Sequence, residues 1–321
     1  MTTPTLILAR EMSALGMKEE LRRWHDRGEV TRLRRGVYVR TSELAPLSAD
    51  ARYRLEIQAV SEILPDTQFS RDSAAAMWRL PSLRDWPTLT HASTPPTPGG
   101  RSGALVARHA VGLDPNPVEI DGVSVTSLVR TLAEVACDRS FARAVTFLDA
   151  GLSTPREGDF RWGTATPSQG DIAGALDALT GIPGRTRGNA AIEFADGLSQ
   201  SPGESLSRVQ IHALGLPAPE LQVSFHDDRG HIGDVDFYWP HLGLVGEFDG
   251  DSKYGAHRRF ARHLSVQQLV IEEKRREDRL RRVVGGVVRW DWSVALDRRL
   301  LASRLASHGL VASRAGVRWP R

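Results

Sequence analysis

Cysteine is nearly absent: Cys137 is the only one, so no disulfide can close within the chain. Lysine is almost as scarce, since Lys18, Lys253 and Lys274 are three of 42 basic residues and arginine supplies the rest. Long apolar runs are missing too; nothing approaches the ~18–20 residues of a membrane span, so a membrane is not an expected partner. The opening MTTPTLILAREM has too short an apolar stretch and no basic leader for a secretory signal, which makes the cytoplasm the expected compartment. What remains is a globular composition, 40% hydrophobic and 25% charged over 321 residues, with room for two or more domains.

The net charge of +3 conceals a segregation: residues 1–40 carry +4, residues 41–250 carry −11 and residues 251–321 carry +10. Two basic ends around an acidic middle favour a polyanionic partner. In the first of these ends the pattern predicts a helix over 5–15, a break at Gly16, and a second helix over 17–27 with Met17, Leu21 and Trp24 on one face. EVTRLRRGVYVR then alternates apolar and basic residues about Gly36, as a two-stranded wing does. Helix, turn, helix and wing make a compact DNA-binding plan. Arg22, Arg23 and Arg27 on the second helix and Arg32, Arg34 and Arg35 on the wing are the candidate guanidinium donors to phosphate or guanine. A basic helical hairpin without a ligand is the plainer alternative.

The helix followed by RGEVTRLRRGVYV resembles the AbiEi family, and FSRDSAAAMWRLP (69–81) and DGVSVTSLVRTLAEVA (121–136) resemble the segments that follow it there. That resemblance implies a winged helix, DNA as partner, and a role as antitoxin and operon repressor beside a cognate toxin in a type IV toxin/antitoxin system. In the middle region helices are expected over 52–64 and 71–79 and a loop over 91–103. Strands are expected in GALVARHAV and GVSVTS, and a helix over 128–136 capped by Ser127. His91 and His109 read as isolated side chains and Cys137 as an inert core residue. The Gly-, Pro-, Ser- and Thr-rich stretch 151–170 reads as a linker, followed by two bridging helices.

From Leu221 onward QVSFH, HIGDVDFYW and LVGEFDG, joined by tight turns, predict three antiparallel strands. Alternation puts Asp234 with Asp236 on one face and Glu247 with Asp249 on one face, and brings Asp236 and Glu247 together at one end of neighbouring strands. Converging carboxylates repel one another, and a hard cation such as Mg²⁺ or Mn²⁺ relieves the repulsion; bound there it polarises a phosphodiester and generates hydroxide. An exposed acidic sheet face is the alternative. Ser201-x-x-Glu204 with Pro202 is also a capping box, Asp249-Gly250 a turn, and the charged run around Lys274 a solvated helix face. Arg258, Arg259 and Arg262 in AHRRFARH form a candidate phosphate-tracking segment.

The set of Glu204 in SPGESLSR, Asp236 in GDVDFYWP, Glu247 in LVGEFDG, KYG at 253–255 and EKRREDRLR before GVVRWDW resembles the restriction-endonuclease-like PD-(D/E)XK superfamily, in particular its branch similar to very-short-patch repair nucleases. The resemblance covers about residues 200–295. It implies an α/β/α domain with a mixed sheet, a Mg²⁺-dependent endonuclease acting on DNA, metal held by Asp236 and Glu247 with Asp249 beside them, and catalytic duties for Glu204 and a lysine. The family places that lysine where this chain has Asp249, so Lys274 or Lys253 is expected to replace it; the alternative is a degenerate site in a non-catalytic repressor. The expected whole is an α+β and α/β multidomain chain: a winged helix-turn-helix (1–45), an AbiEi-like α+β domain (46–152), a linker with bridging helices (153–199), the endonuclease-like domain (200–300) and a basic tail (301–321).

Overall fold

The computed structural model describes residues 4–96, 103–138, 140–154, 165–250 and 266–313. The protein is a mixture of helices and several small sheets, an α+β multidomain chain. It divides into two compact units whose sequence ranges interleave: residues 1–138 with 155–192 form the first, and 139–154 with 193–321 the second. No helix among the described residues is long and apolar enough to cross a membrane.

The first unit opens with β1 (Ile7–Leu8), α1 (Ala9–Ala14), α2 (Lys18–Asp26), β2 (Val30–Arg34) and β3 (Val37–Arg40). The helix expected over 5–15 is shorter, because Ile7 and Leu8 pair with Tyr38 and Val37 and complete a sheet of order β1-β3-β2. Gly36, at φ 81°, turns the β2–β3 hairpin and accepts a hydrogen bond from the Ala9 N–H. Met12, Leu21 and Val30 pack together under Trp24 and Tyr38, so the apolar stripe of α2 is spent on the hairpin and its charged side faces water. Next come α3 (Thr41–Leu44), α4 (Ala49–Ser61) capped by Ser48, and α5 (Arg71–Met77).

Two short pairs complete this unit: parallel β4 (Thr90–Ser93) with β5 (Val106–His109), and antiparallel β6 (Val118–Ile120) with β7 (Val123–Val125). Phe69 bridges both, antiparallel to Ala92 and parallel to Val125, which joins them into one sheet. The loop expected from residue 91 therefore begins later, because His91–Ser93 are strand. Helix α6 (Leu128–Ala136) starts where Ser127 accepts from the Arg130 N–H, as expected, and α8 (Gln169–Ala178) begins at a Ser168/Asp171 capping box. Helix α9 (Arg185–Phe194) follows.

The second unit contains α7 (Phe141–Leu152), α10 (Pro202–Ala213) and strands β8 (Glu220–Asp227), β9 (Gly230–Trp239) and β10 (Leu244–Phe248). After these come α11 (Val266–Leu280), β11 (Gly286–Trp290), α12 (Trp292–Leu296) and α13 (Arg298–Ala306). The sheet order is β11-β10-β9-β8; β8, β9 and β10 form the expected antiparallel meander, and β11 lies parallel to β10. A parallel neighbour needs a crossover, and α11 lies on it. One sheet face packs against α10, where Gly203 meets Phe248 and Trp290 donates its indole N–H to the Ser207 hydroxyl (2.8 Å). The other packs Val235, Val245 and Ile232 against Leu280 of α11. Val283, beyond the end of the helix at Leu280, is exposed.

Candidate functional site

Asp236 and Glu247 lie on adjoining strands, but the register between those strands ends at the Gly246–Phe237 pair before reaching them, and their carboxylates take separate partners. Asp236 is half-buried; one carboxylate oxygen accepts from the Phe248 N–H (2.8 Å) and the other from the Gln222 amide (3.4 Å). The same Gln222 amide donates to Glu204 (3.2 Å), so a helical and a strand carboxylate share one donor. Glu204 also fulfils the capping role: its other oxygen accepts from the Ser201 hydroxyl (2.8 Å), while its own N–H donates to that hydroxyl (3.3 Å). The capping reading of Glu204 holds, and the Gln222 amide ties the same carboxylate to Asp236.

Gln222 is a residue that sequence reasoning missed. Its φ of 50° is left-handed backbone inside a strand, and Leu221 and Val223 on either side keep their regular partners Phe237 and Val235. Strain of this kind persists only where the surroundings hold it, here the two carboxylates on its amide. No composition or spacing signal marks it.

Glu247 is 2% exposed and clamped by two arginines: Arg276 donates to one oxygen (2.5 Å), and Arg289 lies 2.7 Å from the other. The Arg289 N–H is aimed instead at Glu273 (2.8 Å), so Glu247 Oε2 is buried without a hydrogen bond. Burial opposes the charges of Arg276 and Arg289, but Glu247 and Glu273 overcome it and hold both guanidiniums above their ordinary pKa. Burial pushes the Glu273 carboxyl up, and the same two arginines outweigh it. Asp249, half-buried, donates its N–H to the Trp290 carbonyl (2.8 Å) and adds its charge to the field at Arg289.

Lys274 is exposed on α11, one position round from the inward stripe of Glu273, Arg276 and Leu280. The cations at Glu247, among the described residues, are Arg276 and Arg289. Lys253, Arg258, Arg259 and Arg262 lie outside the described residues. No group of three or more His, Cys, Asp or Glu side chains among the described residues is assembled to hold a metal ion.

In the first unit Arg22, Arg23, Arg27, Arg32 and Arg35 are exposed. Arg22 pairs with Glu19 and Asp26, and Arg27 with Glu29, pairs that solvent makes weak. Arg34 differs: it is half-buried, and its guanidinium lies 3.0 Å from Glu56 of α4.

A scan against protein-family models finds no match. Among curated proteins the chain is similar to two uncharacterized proteins of Mycobacterium tuberculosis, MT2308 and Rv2248, each 32% identical over 130 residues. The match takes in 40% of this chain and 44% of either relative, so the chain spans under half the length of the curated relatives it matches.

Proposed function

We propose that this protein is a DNA-binding, Mg²⁺- or Mn²⁺-dependent endonuclease that hydrolyses phosphodiester bonds in its second unit and contacts DNA through the exposed arginines of its N-terminal hairpin. The observation that carries this reading is the link between two acids, helical Glu204 and strand Asp236, through the one Gln222 amide, with Glu247 on the adjoining strand. The order helix, strand, strand on a mixed sheet flanked by helices is the arrangement the restriction-endonuclease-like resemblance implies.

No three acids among the described residues are grouped as a ligand set for a divalent cation, so a cation would rely on at most Asp236 and Glu247 with Asp249. Glu247 is held between Arg276 and Arg289, with Arg289 2.7 Å from its second oxygen, and Asp236 is held by the Gln222 amide and the Phe248 N–H. Asp236 and Glu247 would hold the ion, with Asp249 beside them. The chemistry a cation would supply there is polarisation of a phosphodiester oxygen and activation of water. The protein's own groups do the rest: Arg276 and Arg289 hold Glu247 in place, and Gln222 and the Phe248 N–H fix Asp236. The exposed Arg22, Arg23, Arg32 and Arg35 supply phosphate contacts.

A second reading, a non-catalytic repressor or antitoxin on the same fold, is favoured by one observation: Asp249 occupies the lysine position of the family, and Lys274 is exposed. Nicking of supercoiled plasmid by the full chain with Mg²⁺ or Mn²⁺, beside Glu247→Ala and Asp236→Asn, separates the two. Metal-dependent cleavage lost in both variants supports the nuclease; wild-type protein that binds DNA and leaves it uncut overturns it in favour of the repressor.

A further inference from the structure

A second concentration of polar groups lies in the first unit. Because Phe69 bridges Ala92, Ser70 stands opposite His91, and its N–H donates to the His91 carbonyl (3.0 Å). His91 and Ser93 share one face of β4, and Ser93 is registered against His109 of β5. Their common face gathers the two imidazoles, with ring centres 5.0 Å apart, rather than leaving them isolated as the sequence suggests.

Buried polar groups are normally hydrogen-bonded, and here several are not. Ser70 is fully buried and occupies the N-cap position of α5, yet its hydroxyl caps nothing and has no hydrogen-bond partner among the described residues. The Ser93 hydroxyl (4% exposed), His109 Nε2 and Arg71 Nε are likewise buried without a hydrogen bond among the described residues. Arg71 takes a left-handed φ of 50°, its N–H donates to Glu134 (3.0 Å), and its guanidinium has no ion pair among the described residues. The neighbouring carboxylates are engaged elsewhere: Glu134 by Arg130 (2.7 Å), and Asp72 beside His91 (3.5 Å). Burial, with Arg71 and His91 adding to it, lowers the His109 pKa to about 3, so the ring is neutral at pH 7 and one nitrogen carries a proton to donate.

We infer that Ser70, Arg71, Ser93 and His109 form a binding site for the phosphate group of a small molecule. One unpaired guanidinium, two unpaired hydroxyls and one imidazole N–H are the donors a tetrahedral oxyanion takes up, and the burial of both serines keeps a duplex backbone out. The phosphate comes either from inorganic phosphate or from a mononucleotide.

The test is calorimetric titration of the full chain with inorganic phosphate and with a 5′-mononucleotide, against chloride at matched ionic strength. It is repeated on Ser93→Ala, Arg71→Met and His109→Gln, with the His109 ring nitrogens followed by NMR. Saturable binding, weakened at least tenfold by Ser93→Ala or Arg71→Met and accompanied by a shift of the His109 signals, is the expected result. Tenfold preference for the mononucleotide identifies a nucleotide as the source, and equal affinity identifies free phosphate. No saturable binding of either probe, or binding that survives all three substitutions, overturns the site. Should Arg71→Met fail to fold, Ser93→Ala and the NMR shift still decide.

Discussion

Gly203→Ala tests how closely α10 approaches the sheet, because two effects of opposite sign act on the same methyl. Helix propensity alone favours alanine over glycine by about 1 kcal/mol. Packing opposes it: a Cβ at Gly203 falls well inside contact distance of the Phe248 ring carbons Cε1, Cζ and Cδ1. Phe248 is 3% exposed and held edge-on against Trp292 with centroids 5.0 Å apart, so the ring has little room to yield. Overpacking of this kind costs about 1–3 kcal/mol, and an overlap with three ring atoms belongs at the upper end. The expected outcome is a net loss of roughly 1–2 kcal/mol, read as a lower urea midpoint at unchanged m-value. Phe248→Leu removes the obstructing ring, and in that background Gly203→Ala should become neutral or stabilising, the signature of direct coupling. A Gly203→Ala protein as stable as wild type, or more stable, would refute the close approach that places Glu204 beside Gln222 and Asp236.

Arg208→Met leaves Asp149, fully buried, with its Asp196 N–H bond but without its 2.8 Å cation, and should cost about 3–5 kcal/mol at pH 7. Burial already raises the Asp149 pKa, and removing Arg208 raises it further. A folded-state pKa above the unfolded one makes stability fall as pH rises through it, so the deficit should shrink between pH 7 and pH 5; equal melting-temperature losses at both would contradict this. Burial also pushes the Cys137 thiol up, so a chromogenic disulfide reagent should label it only as the protein unfolds in urea, and fast labelling in native buffer would show the site wrongly placed. On the hairpin, Arg34→Ala should lower the melting temperature by exposing the fixed Glu56 contact, while Arg32→Ala and Arg35→Ala should leave it unchanged and each cut the salt dependence of DNA binding by about one counterion. Identical thermal behaviour of the three variants would argue against the distinction.

The strands β8, β9 and β10 were legible because alternation and tight turns are local signals. The turns put Asp236 and Glu247 on adjoining strands, but the register ends at Gly246–Phe237 and the two carboxylates take separate partners. The Ser201 cap was legible as another local signal. Which cation reaches Glu247 was not: Lys274 and Arg276 sit two positions apart on one helix, and which of them faces the sheet depends on the helix phase that Leu280 fixes by packing in three dimensions. His91 and His109 are 18 positions apart with no repeat between them, and only the parallel register of β4 and β5 reveals their contact. Gln222 escaped because backbone strain leaves no compositional trace.

The interleaved ranges of the two units have a consequence for heredity. Helix α7 is written between stretches that belong to the first unit, yet it carries the Asp149 that Arg208 of α10 needs. A single recombination crossover at residue 155 or later therefore cannot transplant the sheet bearing Asp236 and Glu247 into another gene intact, because the recipient inherits Arg208 without its counter-charge. A crossover that keeps the Asp149–Arg208 pair must fall before α7, and it then carries residues 155–192 of the first unit along with the second.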